Sequence, residues 1–384
     1  MRTFKCVCTN QPTLFFENQF CEACGRRVGI TDDFEYVEPF EPDSKTGHYR
    51  PCRGKGHYKP CYNNEHYQAC NGMVEIDVGG KKKQGEMSDY CFACRFTKMI
   101  PDLSVPAHLP LWRKMEVAKR RALYTLKSLP LSLGTKQQKG RGGLELNFVA
   151  DRSANDHFRT PLAGQPPALT GHDNGTITIN LAEADDVSRS EMRLQMHEYY
   201  RTLLGHFRHE LGHYFFDQLI LPSAENTRLF KSLFGDSDAD YSLALDKHYR
   251  DGPPVDWQDY FVSAYATMHP WEDWAETWAH YLHIIDTLDT AHHAGIFFDA
   301  DSNDVKSPAD LSMPQANQFY GQSSFARILK TWMAFSTVLN SLNRSMGIAD
   351  AYPFVIKEPV QKKLSFVHHC IHGKLKQWMQ SEAA

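Results

Sequence analysis

The pentapeptide HELGH at residues 209–213 sets two imidazoles, His209 and His213, four residues apart, with a carboxylate, Glu210, beside the first. On a helix that spacing brings both rings to one face about one turn apart, where they can share a tetrahedral zinc while Glu210 faces a metal-held water. The chemistry this arrangement can do is hydrolysis. Zinc lowers the pKa of its water toward about 7, and the glutamate takes the proton as the water attacks a carbonyl carbon. The surrounding run, LLGHFRHELGHYFFDQLI, favours that reading over an ordinary solvated stripe. At about 100° per residue His206, Glu210, His213 and Asp217 fall within about 60°, with His209 at the edge of that sector. Leu203, Leu204, Phe207, Leu211, Phe215 and Leu219 occupy the other side and ask for burial.

A catalytic zinc takes three protein ligands and leaves one position for water. The segment HPWEDWAETWAHYLHIIDTL (269–288) offers the third. On a helix its Glu272, Glu276, His280 and His283 cluster within about 80°, while Trp271, Trp274, Trp278 and Leu282 lie away from them. Glu276 sits in the middle of this polar stripe and is the expected third ligand, with Glu272 and His280 as alternatives. Asp217, Asp273 and His280 are candidates for orienting the ligands. Tyr265, His269, Tyr281 and His283 are candidates for hydrogen-bonding the oxyanion of the transition state.

Nine of the ten cysteines lie in the first quarter of the chain. CVC (6–8) and CEAC (21–24), with twelve residues between them, form a four-thiolate set of Cys6, Cys8, Cys21 and Cys24. Paired short turns of this kind suit a structural zinc ribbon, and a region of some thirty residues has little other means of folding. Further on, Cys52, Cys61, Cys70, Cys91 and Cys94 compete for four places, with His57 and His66 as further contenders. Cys370, in HHCIHGK, reads as a buried helix residue.

These groups need elements to hold them. LWRKMEVAKRRALYTLKSL (111–129) reads as an amphipathic helix, and alternation in GGLELNFVAD (142–151) and GTITINLA (175–182) reads as strands. Helical patterns follow from Ser188 to Ile220, with a break expected at Gly205, then over 271–288, 323–343 and 361–381. GTITIN is either an ordinary sheet strand, the preferred reading, or an edge along which a substrate could add. Strands followed by helices predict an α+β architecture rather than an alternating parallel sheet. The expected domains are a ribbon at 1–30, a second Cys-rich module at 31–100, and a mostly helical domain with a small sheet at 101–384.

The bulk numbers narrow the classes. With 42% hydrophobic and 23% charged residues over 384 positions the chain reads as globular, and its net charge of −4 disfavours nucleic acid. Arg26, Arg27, Arg50, Arg53 and Lys81 to Lys83 supply scattered positive charge without an aromatic–basic pattern. No apolar run approaches the roughly 18 residues of a membrane span. MRTFKCVCTNQ lacks a secretory apolar core, so the expected location is cytoplasmic and the thiols are expected on metal rather than in disulfides.

YRTLLGHFRHELGHYFFDQLI, SAYATMHPWEDWAETWAHYLHIIDTLDTA and LNRSMGIADAYPFVI together resemble a bacterial family described as zinc-binding metallopeptidases with an N-terminal zinc-ribbon region. The likeness runs from the first cysteine cluster to about residue 357. It implies a zincin-like fold of the gluzincin type, with His209, His213 and Glu276 on zinc and Glu210 as base. At CYNNEHYQACN it favours Cys61, Cys70, Cys91 and Cys94 as the second set, leaving Cys52 out. One position departs from the pattern: where an Asp is expected four residues after the third ligand, this sequence has His280. The resulting expectation is a peptidase with one catalytic and two structural zinc ions. It would take a peptide or protein substrate, and the ribbons could dock a protein partner. The alternative is a non-catalytic zinc-binding regulatory protein, or one that binds protein or nucleic acid on the same scaffold.

Overall fold

A computed structural model describes residues 2–34, 36–77, 89–150, 170–195, 202–296 and 324–382. The lysines at 81–83 and the middle of the helical pattern at 196–201 lie outside them. The chain clusters into two compact units, one of Met1–Lys127 with Leu133–Ser190, the other of Ser128–Ser132 with Glu191–Ala384.

The first unit is built on short strands. Two of them, β1 (Phe4–Lys5) and β2 (Thr13–Leu14), pair as a hairpin whose turn carries Cys6 and Cys8. An antiparallel meander follows: β3 (Arg27–Ile30), β4 (Val37–Asp43), β5 (His48–Pro51), β6 (His57–Pro60) and β7 (Met73–Ile76), each beside the next. The short helix α1 (Tyr62–Tyr67) fills the β6–β7 connection. A second sheet, ordered β10–β11–β9–β8, joins β8 (Thr97–Met99), β9 (Glu145–Val149), β10 (Gly171–Asp173) and β11 (Thr176–Asn180). GTITIN is therefore an inner strand. It is hydrogen-bonded to β9 in parallel and β10 antiparallel, so both edges are taken and no substrate strand can add there. The amphipathic helix α2 (His108–Lys127) buries Trp112, Met115, Leu123 and Leu126 in this unit. It also buries a paired Glu116 and Lys119, 2.6 Å apart and at most 1% exposed. The short helix α3 (Lys136–Lys139) follows a Thr135–Gln138 capping box, and α4 (Asp186–Gln195) begins in the first unit and ends in the second.

The second unit is helical among its described residues. It contains α5 (Leu203–Leu219), α6 (Ala224–Phe234), α7 (Tyr241–Asp251), α8 (Pro270–His293), α9 (Phe325–Ser345), α10 (Glu358–Ile371) and α11 (Leu375–Glu382). The helical pattern of 188–220 breaks before Gly205, not at it. Thr202 caps α5 by accepting from the Gly205 N–H at 2.9 Å. The 361–381 pattern divides into α10 and α11 at Gly373, whose φ of 64° ends a helix. The two expected strands, at 145–149 and 176–180, lie in the sheet of the first unit.

The core of the helical unit is the crossing of α5 and α8. Phe215 stacks on Trp278 with ring centroids 4.8 Å apart, and the Trp274 indole donates to the Gly212 carbonyl at 2.8 Å. Gly212 permits the approach: a Cβ there would stand 2.9 Å from Ala275 Cα and 3.2 Å from Trp278. Because the two helices touch at Gly212, the residues flanking it on α5 face the first turns of α8. That contact positions the site.

Candidate metal centre

His209 and His213 project from α5 with Nε2 atoms 3.2 Å apart. From the first turn of α8, Glu272 brings Oε2 to 2.9 Å from His209 Nε2 and 3.4 Å from His213 Nε2. All three residues are buried, and their ligand atoms form a compact group. A tetrahedral ion with ligands at about 2.0–2.1 Å demands edges of about 3.3 Å, so this triangle has the size of one face of a zinc site. The orphaned atoms agree. Glu272 Oε2, Glu210 Oε2 and His213 Nδ1 are buried without hydrogen-bond partners among the described residues, a costly state unless something else satisfies the oxygens. The donor set fits zinc.

Glu276, the expected third ligand, does not join this triangle. It lies one turn along α8 and accepts 2.7 Å from His209 Nδ1, on the opposite edge of the ring, and 2.6 Å from the Ser263 hydroxyl. Burial pushes its carboxyl up, but these bonds and the imidazole charges pull it down to about 2. The bond to Nδ1 fixes the His209 tautomer that leaves Nε2 as the lone-pair nitrogen. Glu276 stands four residues after Glu272, a Glu where the expected pattern carries Asp.

Glu210 is buried beside the triangle. His206, one turn earlier, holds its Oε1 at 3.2 Å. Burial raises the Glu210 carboxyl, yet the neighbouring imidazoles outweigh that and leave it below the usual value. Trp271, expected to face away, covers the His213 ring at a centroid distance of 3.6 Å.

The other named residues take different places. Asp273 is buried against Lys363 of α10, Nζ to Oδ2 2.6 Å, and burial still raises it to about 7. His280 hydrogen-bonds the Tyr352 phenol at 2.8 Å and is held down to about 4 by burial. His283 is half-buried between the rings of Trp332 and Tyr352. Tyr281 turns its phenol to His368 of α10, 2.9 Å away. His269 uses both ring nitrogens structurally, capping α8 through Trp271 N and binding the Ala239 carbonyl. Asp217 is half-buried two residues from the end of α5. Sequence reasoning missed Tyr241, Ser263 and Trp271 as neighbours of the centre. Tyr241 lies outside the quoted motifs, and Ser263 opens SAYATMH with no ligand spacing to mark it.

In the first unit two thiol groups converge, Cys6, Cys8, Cys21 and Cys24, and Cys61, Cys70, Cys91 and Cys94. Cys6 and Cys24 sulfurs stand 3.8 Å apart, which matches the edge of a tetrahedron with Zn–S of about 2.3 Å. Backbone and side-chain hydrogen bonds from Arg26 lower the Cys24 thiol to about 6, toward the thiolate a metal needs. The second group is fully buried, and Gly72 makes room for it: a Cβ there would lie 2.4 Å from Cys91 Cβ and Sγ. Cys52, His57 and His66 stay outside both groups. The nearby basic side chains are partly spent on acids, Arg26 on Glu41 and Arg50 on Asp43. No helix among the described residues is long and apolar enough to cross a membrane.

Compared with known proteins, residues 108–370 match the model of a family described as "Putative zinc-binding metallo-peptidase", and residues 3–105 match a zinc-ribbon domain. Uncharacterised proteins of Mycobacterium bovis and of two strains of Mycobacterium tuberculosis are 40% identical over 373 residues, spanning 96% of this chain and 94% of theirs. No solved structure matches.

Proposed function

The chain belongs to this zinc-binding metallo-peptidase family, and from that premise we propose that it hydrolyses peptide bonds at the centre formed by His209, His213 and Glu272, with Glu210 as general base. The observation that carries the reading is the convergence of two imidazole nitrogens and one carboxylate oxygen beside a second, buried carboxylate with a partnerless oxygen. Zinc held there supplies Lewis acidity toward a carbonyl oxygen and acidifies a water. Glu210 is ionised at neutral pH, and its Oε2 accepts the proton released in the attack. His206 fixes the other oxygen, so the carboxylate does not turn away between turnovers. Glu276 keeps Nε2 of His209 unprotonated and aimed at the ion. Trp271 shields the His213 face from water, which strengthens the electrostatics of the pocket. The two thiol groups hold structural zinc, and the modules they staple serve docking of substrate or a protein partner.

Glu210→Gln tests this. The variant is expected to retain its zinc and to lose peptidase turnover on an unfolded protein substrate such as casein by at least about 100-fold. Turnover at the native rate would remove Glu210 from the mechanism.

A further inference from the structure

Glu272 brings two oxygens to the centre, and the structure gives them different partners. Oε2 meets the two imidazoles, whereas Oε1 accepts a 2.9 Å hydrogen bond from the phenol of Tyr241, the first residue of α7. We propose that Tyr241 is a positioning residue that restricts Glu272 to one-oxygen ligation and so keeps a coordination position open for solvent. The inference rests on the reading of His209, His213 and Glu272 as a zinc site, and it concerns a residue that neither motif contains.

The physical argument starts from what a carboxylate can do. Bound through both oxygens, Glu272 would add a second donor oxygen beside the water, taking the ion to five ligands and crowding the position a hydrolytic site leaves to solvent. A proton donated to Oε1 withdraws that oxygen's basicity and fixes the rotation of the carboxylate plane.

Tyr241 is itself held for this task. Its ring meets His269 at 5.4 Å and the edge of Trp271 at 6.0 Å. His269 in turn binds the Ala239 carbonyl at 3.0 Å, tying the start of α7 to the start of α8. The Tyr241 hydroxyl donates its hydrogen to Glu272. Core packing does not explain the placement. No residue of α7 is fully buried, and Tyr241 is itself 36% exposed, yet its hydroxyl reaches the centre. A direct role on the oxyanion is also disfavoured, because the hydrogen that role requires is already given to Glu272.

The test uses the full chain with its thiol sites filled by zinc. The labile ion is removed with dipicolinate and replaced by Co²⁺, whose visible absorption distinguishes four from five ligands. The native chain is expected to give the strong four-coordinate spectrum. Tyr241→Phe removes only the hydroxyl from a surface helix, and an unchanged melting curve checks that the fold is intact. The variant is expected to bind Co²⁺ and Zn²⁺ about 10- to 100-fold more weakly and to show the weaker five-coordinate spectrum. Native affinity with a native spectrum overturns the proposal, and so does weaker binding with the four-coordinate spectrum retained. A native chain that takes up no labile ion overturns the zinc site itself, and this role of Tyr241 with it.

Discussion

His209 is gripped on both edges by acids one helical turn apart. Glu272 Oε2 lies 2.9 Å from its Nε2, and Glu276 Oε1 lies 2.7 Å from its Nδ1. Two carboxylates of the same helix therefore do different work on one ring, and substitution separates them. Glu272→Gln should abolish stable retention of the labile zinc. Glu276→Gln should keep the ion but weaken it about 10- to 100-fold. Chelator competition measures both, and the reverse ranking would return the ligand role to Glu276.

Gly212 is the point where α5 and α8 touch. Gly212→Ala forces the helices apart, because the backbone of Ala275 is in the way rather than a flexible side-chain end. The expected cost is about 1–3 kcal/mol in urea unfolding, together with weaker binding of the labile zinc, since Glu272 rides on the displaced helix. Unchanged stability and affinity would show that the crossing has slack.

Gly72 plays the same part under the second thiol group. Gly72→Ala should reduce bound zinc from about three ions per chain to about two, read by elemental analysis after dialysis. The first thiol group should keep its ion in the same sample. A full complement in the variant would show that Cys91 moves aside without loss.

His368 makes stability depend on pH. Burial, reinforced by the neighbouring charges of His372, His369 and Lys374, holds its imidazole at about 3, against 6.5 when unfolded. The unfolded chain then binds more protons between those values, so stability falls as the pH drops through that window and is level above it. The contribution is about 1.4 kcal/mol per pH unit from this residue. In His368→Asn the urea midpoint should vary less between pH 6.5 and 5 than in the native chain. An identical slope would assign the acid sensitivity to other groups.

Much of the helical unit is legible because its period is strong: the apolar face of 203–219 and the Trp-rich face of 271–288 each announce a buried helix. The choice between Glu272 and Glu276 is not legible by the same means. Both acids occupy one stripe, and a helical projection carries no information about the height at which a partner helix crosses. That height is set by Gly212 and by the Trp274–Gly212 hydrogen bond, a tertiary fact. Trp271 was misplaced for a related reason, since it stands at the helix start, where His269 and Pro270 turn the chain across the face of His213. Tyr241 gave no signal at all. It belongs to a polar surface helix, YSLALDKHYRD, with nothing in its spacing to mark one phenol. The thiol groups were legible because paired cysteines state their geometry locally, whereas the strands at 145–149 and 176–180 were readable as strands but not as members of the first unit.

The indole of Trp271 lies against His213 at 3.6 Å, close enough for the ring's excited state to sense what the imidazole is doing. Protonated imidazole and paramagnetic ions both quench indole emission. The molecule therefore carries a built-in optical gauge: titration with Co²⁺ should dim a component of the tryptophan fluorescence in step with filling of the centre, with no label attached.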